Sequence, residues 1–226
     1  MSLDSHRVVY PAAGLASRLG GVPKFLLPNA SSESILASHT GSCELPPNQK
    51  IVVTRPTLVD FVAEHLGGAA RVVGLPSISG SQSVLFGARQ DSAVSSVSIA
   101  LPDTIVSPAI DHIGLYSALG ECDIAIAAFP TRGDQQGKLG GLVMRNRAVQ
   151  RIVDKDASKP TQLHWGAVAM HSAVLWEFAK NEDQNIGIAV NRALASGLTV
   201  HVAQVGTSYF DVGTLSEYVT ALTLVQ

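Results

Sequence analysis

Apolar residues in this chain fall in short runs rich in β-branched side chains. Val8-Val9-Tyr10, Lys50–Thr54 (KIVVT), Arg71–Leu75 and Ser96–Leu101 each read as a buried strand. Helical signals lie between them. Ser32–Ser42 is a weak helix candidate, ended by Leu45-Pro46-Pro47. Thr57 and Asp60 have the spacing of a capping box, opening a helix that runs to Leu66 and stops at Gly67-Gly68. Gly80-Ser81 starts another helix, through Arg89. Ser107-Pro108 places proline in the first turn of a further helix, which Gly120 closes. Strands separated by helices at this rhythm predict a mainly parallel sheet with right-handed crossovers.

The rhythm then changes. Asp123–Phe129 is a strand, but Lys138–Asp156 contains LGGLVMRN and AVQRIVDKD, which read as two strands of a hairpin. His164–Met170 is a strand, followed by helices over Ser172–Lys180 and Asn185–Ser196. The second helix lines up Ile186, Ala189, Val190, Ala193 and Leu194, a packing stripe. Thr199–Gln204 is a further strand, and Thr214 with Glu217 forms a capping box for the final helix.

A length of 226 residues suits one α/β domain over 1–226, and 46% hydrophobic against 15% charged residues carries no disorder signature. The net charge of −2 gives no reason to expect nucleic acid or an anionic membrane as partner. Cys43 and Cys122 lie in no metal spacing, and the seven histidines lack zinc-binding spacing. No secretory leader, bilayer-length apolar run or G-x-S-x-G elbow occurs, so a cytoplasmic setting with free thiols is expected.

Candidate chemistry concentrates in Arg7–Pro28, RVVYPAAGLASRLGGVPKFLLP. A strand feeds a loop of small residues, Ala12-Ala13-Gly14, followed by the cations Arg18 and Lys24. Such a loop cradles phosphate through backbone N–H groups and fixed positive charge. The bland alternative is an ordinary strand-to-helix connection with incidental charges. A P-loop does not fit, and Ala16 stands where a dinucleotide fingerprint needs its second glycine. The fourth strand ends in Asp103, where a carboxylate is placed to hold Mg²⁺ on triphosphate oxygens or merely to terminate the strand.

Ala13-Gly14-Leu15-Ala16-Ser17-Arg18, followed after a spacer by Pro23-Lys24-Phe25-Leu26-Leu27-Pro28, resembles the nucleotidyltransferase signature of sugar-1-phosphate nucleotidylyltransferases. The departure is Ala16 for glycine. Tyr209-Phe210-Asp211-Val212-Gly213-Thr214 resembles the family's closing segment. The resemblance implies a Rossmann-like three-layer α/β/α fold with a mixed sheet and a small antiparallel hairpin lid over the sugar side. It implies Mg²⁺ on Asp103 and Asp211, catalytic Arg18 and Lys24, and nucleotide binding by Ala13, Gly14, Gln82 and Ser83. It also implies acceptor phosphate or sugar binding by Gly140, Lys155 and His164, although the family's proline after the lysine is missing. Trp165 would stack on a sugar or belong to the core.

The implied partners are a nucleoside triphosphate and a sugar-1-phosphate. A cytidylyltransferase for phosphocholine or a polyol phosphate shares the loop and both aspartates. A catalytically silent nucleotide sensor is the reading from another class. A glycosyltransferase of similar architecture should carry Asp-x-Asp, where this chain has Asp103-Thr104-Ile105.

Overall fold

A computed structural model describes residues 2–76, 80–91, 93–154, 156–175 and 185–224. Its strands are β1 (His6–Ala12), β2 (Lys50–Thr54), β3 (Arg71–Gly74), β4 (Ser96–Ala100), β5 (Thr104–Ser107), β6 (Ile124–Pro130), β7 (Gly140–Arg145), β8 (Ala148–Asp154), β9 (Leu163–His171), β10 (Val200–Val205) and β11 (Ser208–Asp211). Its helices are α1 (Ile35–Ser42), α2 (Val59–Leu66), α3 (Gly80–Ala88), α4 (His112–Ala118), α5 (Ile186–Ala195) and α6 (Leu215–Leu224).

Nine strands form one mixed sheet in the order β3-β2-β1-β4-β9-β6-β10-β8-β7. The β3-β2-β1-β4 half is parallel throughout. β9 enters antiparallel between β4 and β6, and β10 returns parallel to β6. The β7–β8 hairpin is not a detached flap. β8 pairs with β10 while β7 pairs back onto the start of β9, Gly141 opposite His164, so this end of the sheet curls on itself.

Strand β1 is buried on both faces, which is why its apolar run does not alternate with polar residues. Val9 packs on one face with Ile51, Val53, Val97 and the inner sides of α3 and α5. Val8 and Tyr10 pack on the other with Val52, α1, α2 and α4. The result is three layers. Helix α3 lies close on the sheet because it carries Gly87, where a Cβ would stand 2.7 Å from Val9 Cγ1 and 2.9 Å from Val53 Cγ2.

Several boundaries depart from expectation. Pro56 starts a 3₁₀ turn one residue before Thr57, so α2 is capped by Leu58 and the Thr57–Asp60 capping box does not form. Helix α1 begins at Ile35 with Ser34 Oγ accepting from Ala37 N at 3.0 Å. No helix opens at Ser107-Pro108. The β-branched run Thr104-Ile105-Val106 instead forms β5, which pairs with β11, and α4 starts after Asp111, whose carboxylate accepts from Gly114 N at 2.7 Å. At Thr214 the cap does form, with Glu217 N donating to Thr214 Oγ1 at 3.2 Å. Residues 172–175 are helical, and the remainder of the helix expected to Lys180 lies outside the described residues. Among the described residues no helix is long and apolar enough to cross a membrane.

Candidate active site

The carboxyl ends of β1 and β4 open into a cleft of about 370 Å³, lined by the post-β1 loop, the start of α3, β7 and β11. A smaller hollow of about 170 Å³ continues it beneath Ala16, Ser17 and Phe25. Ala13 is buried at the mouth of the loop while Gly14 is exposed. Ala16 adopts φ 50°, ψ 36°, the left-handed conformation that glycine takes without strain. It holds that conformation because its carbonyl accepts from both Leu19 N (2.9 Å) and Gly21 N (3.1 Å). Pro23 then introduces a short 3₁₀ turn over Lys24–Leu26, anchored by buried Phe25. Lys24 is thereby fixed with Nζ 3.5 Å from Asp103 Oδ2.

The two aspartates meet through the β5–β11 ribbon. Asp211 stands opposite Thr104, and Val212 N donates to Asp103 O at 3.1 Å. From below, His39 Nε2 hydrogen-bonds Thr104 O at 2.7 Å. Burial first, then the charge of Asp103, pushes the Asp211 carboxyl up from 3.8 to about 6. Gly213 permits further crowding: a Cβ there would lie 2.6 Å from Glu217 Oε2 and 3.6 Å from both Arg18 Nη1 and Asp211 Oδ2. One end of the cleft thus gathers carboxylates and cations, the arrangement that holds polyphosphate with a hard metal ion.

Of the residues singled out in the sequence, Ala13 and Gly14, Arg18 and Lys24, Ser83, Asp103, Gly140 and Asp211 line this cleft. Gln82 does not; it is exposed on the next position of α3. His164 is not brought to the cleft either. It is fully buried, with Nδ1 3.2 Å from Thr131 Oγ1 and its ring edge-on to Tyr209 at 4.7 Å. Burial, then Arg132, lowers its pKa to about 4, so a neutral ring supports Tyr209 and offers no cation to a phosphate. Lys155 lies outside the described residues.

The far end of the cleft holds groups the sequence did not single out. Asp154, opposite Gly140 in the hairpin, accepts from Asn185 Nδ2 at 2.7 Å, and Asn185 Oδ1 in turn caps α5 by accepting from Gly187 N at 2.7 Å. The Trp165 indole lies directly over Gly140, where any Cβ would collide with its nitrogen. Ser81 Oγ and Trp165 Nε1, both on cleft-lining residues, are buried with no hydrogen-bond partner. Hydrogen-bonding capacity left unused there suits a polar ligand. Gly140, Trp165 and the Asp next to Lys155 were the signals the sequence held for this end; Asn185 and Ser81 carried only helix-start signals.

No protein-family model matches the sequence, and no curated protein does. Solved structures share the fold. One from Bacillus anthracis described as a glucose-1-phosphate thymidylyltransferase superposes with TM-score 0.76 at 17% identity, covering 97% of this chain and 94% of its own. UTP-bound UDP-glucose pyrophosphorylase from Acinetobacter baumannii gives TM-score 0.72 at 17% identity over 96% of this chain and 92% of that one. The inositol-1-phosphate CTP transferase from T. maritima gives 0.69 at 15% over 94% and 91%. The chain has the fold of the sugar-phosphate nucleotidyltransferases, and its cationic loop and paired aspartates lie on that fold.

Proposed function

We propose that this protein transfers a nucleoside monophosphate from a nucleoside triphosphate to a sugar-1-phosphate, releasing pyrophosphate. The observation that carries the proposal is the meeting of Arg18 and Lys24 with Asp103 and Asp211 in one cleft, from three separate parts of the chain. An acceptor phosphate oxygen attacks the α-phosphorus, forming one P–O bond as the bond to the β-phosphate breaks. The nucleophile is already ionised at neutral pH, so the chain needs no strong base. Its task is to bring two anions together and hold them in line.

Lys24, fixed by Pro23 and Phe25, places its ammonium between the triphosphate and the acceptor. Arg18, on the more exposed part of the loop, holds the departing pyrophosphate. Ala13 and Gly14 present backbone to the nucleotide, and Ser81 and Ser83 at the start of α3 face its base. Asp103 and Asp211 fit a Mg²⁺ ion: they are hard oxygen donors, and a cation would stabilise the charged form of Asp211, which burial and then the charge of Asp103 disfavour. When bound, Mg²⁺ would neutralise charge on the α-phosphate.

At the other end, Asp154 offers acceptor lone pairs to sugar hydroxyls and Trp165 a flat face; the family resemblance alone assigns Lys155 to the acceptor phosphate. The second reading is a cytidylyltransferase for phosphocholine or a polyol phosphate. A carboxylate beside an indole, as in Asp154 and Trp165, also suits a quaternary ammonium group. Four triphosphates tested against sugar-1-phosphates, inositol phosphate and phosphocholine, with pyrophosphate as readout, distinguish the two. Absence of pyrophosphate from every pair would leave the silent nucleotide sensor standing.

A further inference from the structure

The cleft's charges are matched before any substrate arrives. Arg18, Lys24 and Lys138 line it, against Asp103, Asp154 and Asp211. Lys24 pairs with Asp103, and Arg18 Nη1 faces Gly213 near Asp211, so both belong to the triphosphate end. Lys138 stands apart, on the turn leading into β7. Its backbone is fixed: Lys138 N donates to Gln135 O at 3.0 Å, and buried Gln135 donates from Nε2 to Tyr209 O at 2.7 Å.

The side chain of Lys138 is far less constrained. It is 60% exposed, and its ion pair with Glu217 Oε1 spans 3.7 Å. A pair so long and so wet contributes almost nothing to stability. Lys138 lines both the main cleft and a side pocket of about 180 Å³ that contains Glu217, so the residue borders both. Two residues on, Gly140 presents bare backbone beneath Trp165, with Asp154 across the hairpin.

We infer that Lys138 leaves Glu217 to bind the acceptor's phosphomonoester, an inference that rests on the transferase function proposed above. A phosphomonoester carries close to two negative charges at pH 7 and takes charge-assisted hydrogen bonds from an ammonium. Inside the cleft that attraction is less screened than the pair with Glu217 at the rim. Glu217 is then a competitor for the amine. It stays in place after the amine departs, because Thr214 Oγ1 donates to its Oε2 at 3.0 Å.

The test compares the unaltered protein with Lys138→Ala, Glu217→Gln and the double variant. Each is assayed with the triphosphate and acceptor that release pyrophosphate, and titrated calorimetrically with the triphosphate alone. Lys138→Ala should raise the acceptor KM about 10- to 100-fold and leave the triphosphate Kd within about twofold. Inorganic phosphate, as a competitive inhibitor against the acceptor, should weaken by the same factor. Glu217→Gln should lower the acceptor KM about two- to fivefold, and the double variant should match Lys138→Ala. An unchanged acceptor KM in Lys138→Ala, or a weakened triphosphate in its place, overturns the inference while the transferase function stands. No pyrophosphate from the unaltered protein overturns the function itself, and this inference with it.

Discussion

Lowering the pH from 7 to 5 should destabilise this fold by about 4 kcal/mol or more, because His6, His39, His112 and His164 are buried as neutral rings. His6 is fully buried, its ring nitrogens 2.8 Å from Ser96 Oγ and 2.9 Å from Ser98 Oγ. Burial, then Arg7, lowers its pKa from 6.5 to about 4. Burial, then the nearby His39 and His6, lowers His112 to about 3, and burial, then Arg132, lowers His164 to about 4. In each case the folded pKa lies below the unfolded one. The stabilisation is therefore complete above pH 6.5 and is lost as the pH falls toward the folded values, because only the unfolded chain takes up the proton.

Between pH 7 and 5 His6, His112 and His164 each lose about 2 kcal/mol, or about 5 to 6 kcal/mol together, and His39, lowered by burial, adds to the loss. Asp211 has the opposite sign. Its carboxyl is raised to about 6, so the native state gains a proton over the same range and recovers about 1 kcal/mol. The histidines win, and the net loss is a large part of the 5–15 kcal/mol a domain typically has. Urea unfolding in metal-free buffer at several pH values measures it directly. His6→Gln should reduce the loss by about 2 kcal/mol, and Asp211→Asn should increase it by about 1 kcal/mol. Stability that stays level within about 1 kcal/mol from pH 7 to 5 would refute the reasoning.

Lys24→Ala should lower pyrophosphate release by about 10²–10³-fold with circular dichroism unchanged, since it removes one preorganised charge; near-native turnover would exclude Lys24 from the chemistry. Activity should require Mg²⁺ or a similar cation and vanish on chelation; Asp103→Asn and Asp211→Asn should each remove most turnover, and losses that multiply in the double variant would mean that they do not share one ion. Ala16→Gly should be neutral or stabilising by up to about 1 kcal/mol in urea unfolding, because relief of the left-handed alanine offsets the added freedom of the unfolded chain; a loss above about 1 kcal/mol would show that the methyl group packs.

Both the strand–helix order and the cationic loop were legible in the sequence because they depend on neighbours along the chain. Val8-Val9-Tyr10 is apolar on both faces because both faces are covered, and Arg18 and Lys24 follow it within one loop. Antiparallel β9 was not legible as such, since direction within a sheet is set by partners far away. His164 shows the same limit at a single residue. It stands in a strand beside Trp165, but the pleat sends successive side chains to opposite faces, and the histidine lies under Tyr209 while the tryptophan lies over Gly140. Family resemblance located the strand; the face each side chain takes came from the packing.

The β5–β11 ribbon joins these two kinds of information. Thr104-Ile105-Val106 has the composition of a strand, yet Ser107-Pro108 behind it carries the signal of a helix start, and local signals alone do not rank them. Pairing does: Ser208–Asp211 supplies β5 with hydrogen-bond partners along its length, register for register. That pairing has a chemical consequence no local signal contains. It fixes Asp211 opposite Thr104, next to Asp103, while Val212 N holds the Asp103 carbonyl. Two carboxylates far apart in the sequence are held together although burial, then the charge of Asp103, disfavours the charge on Asp211. The fold tolerates that arrangement at the cleft where a cation would relieve it, so the proposed catalytic site depends on the ribbon more than on either motif.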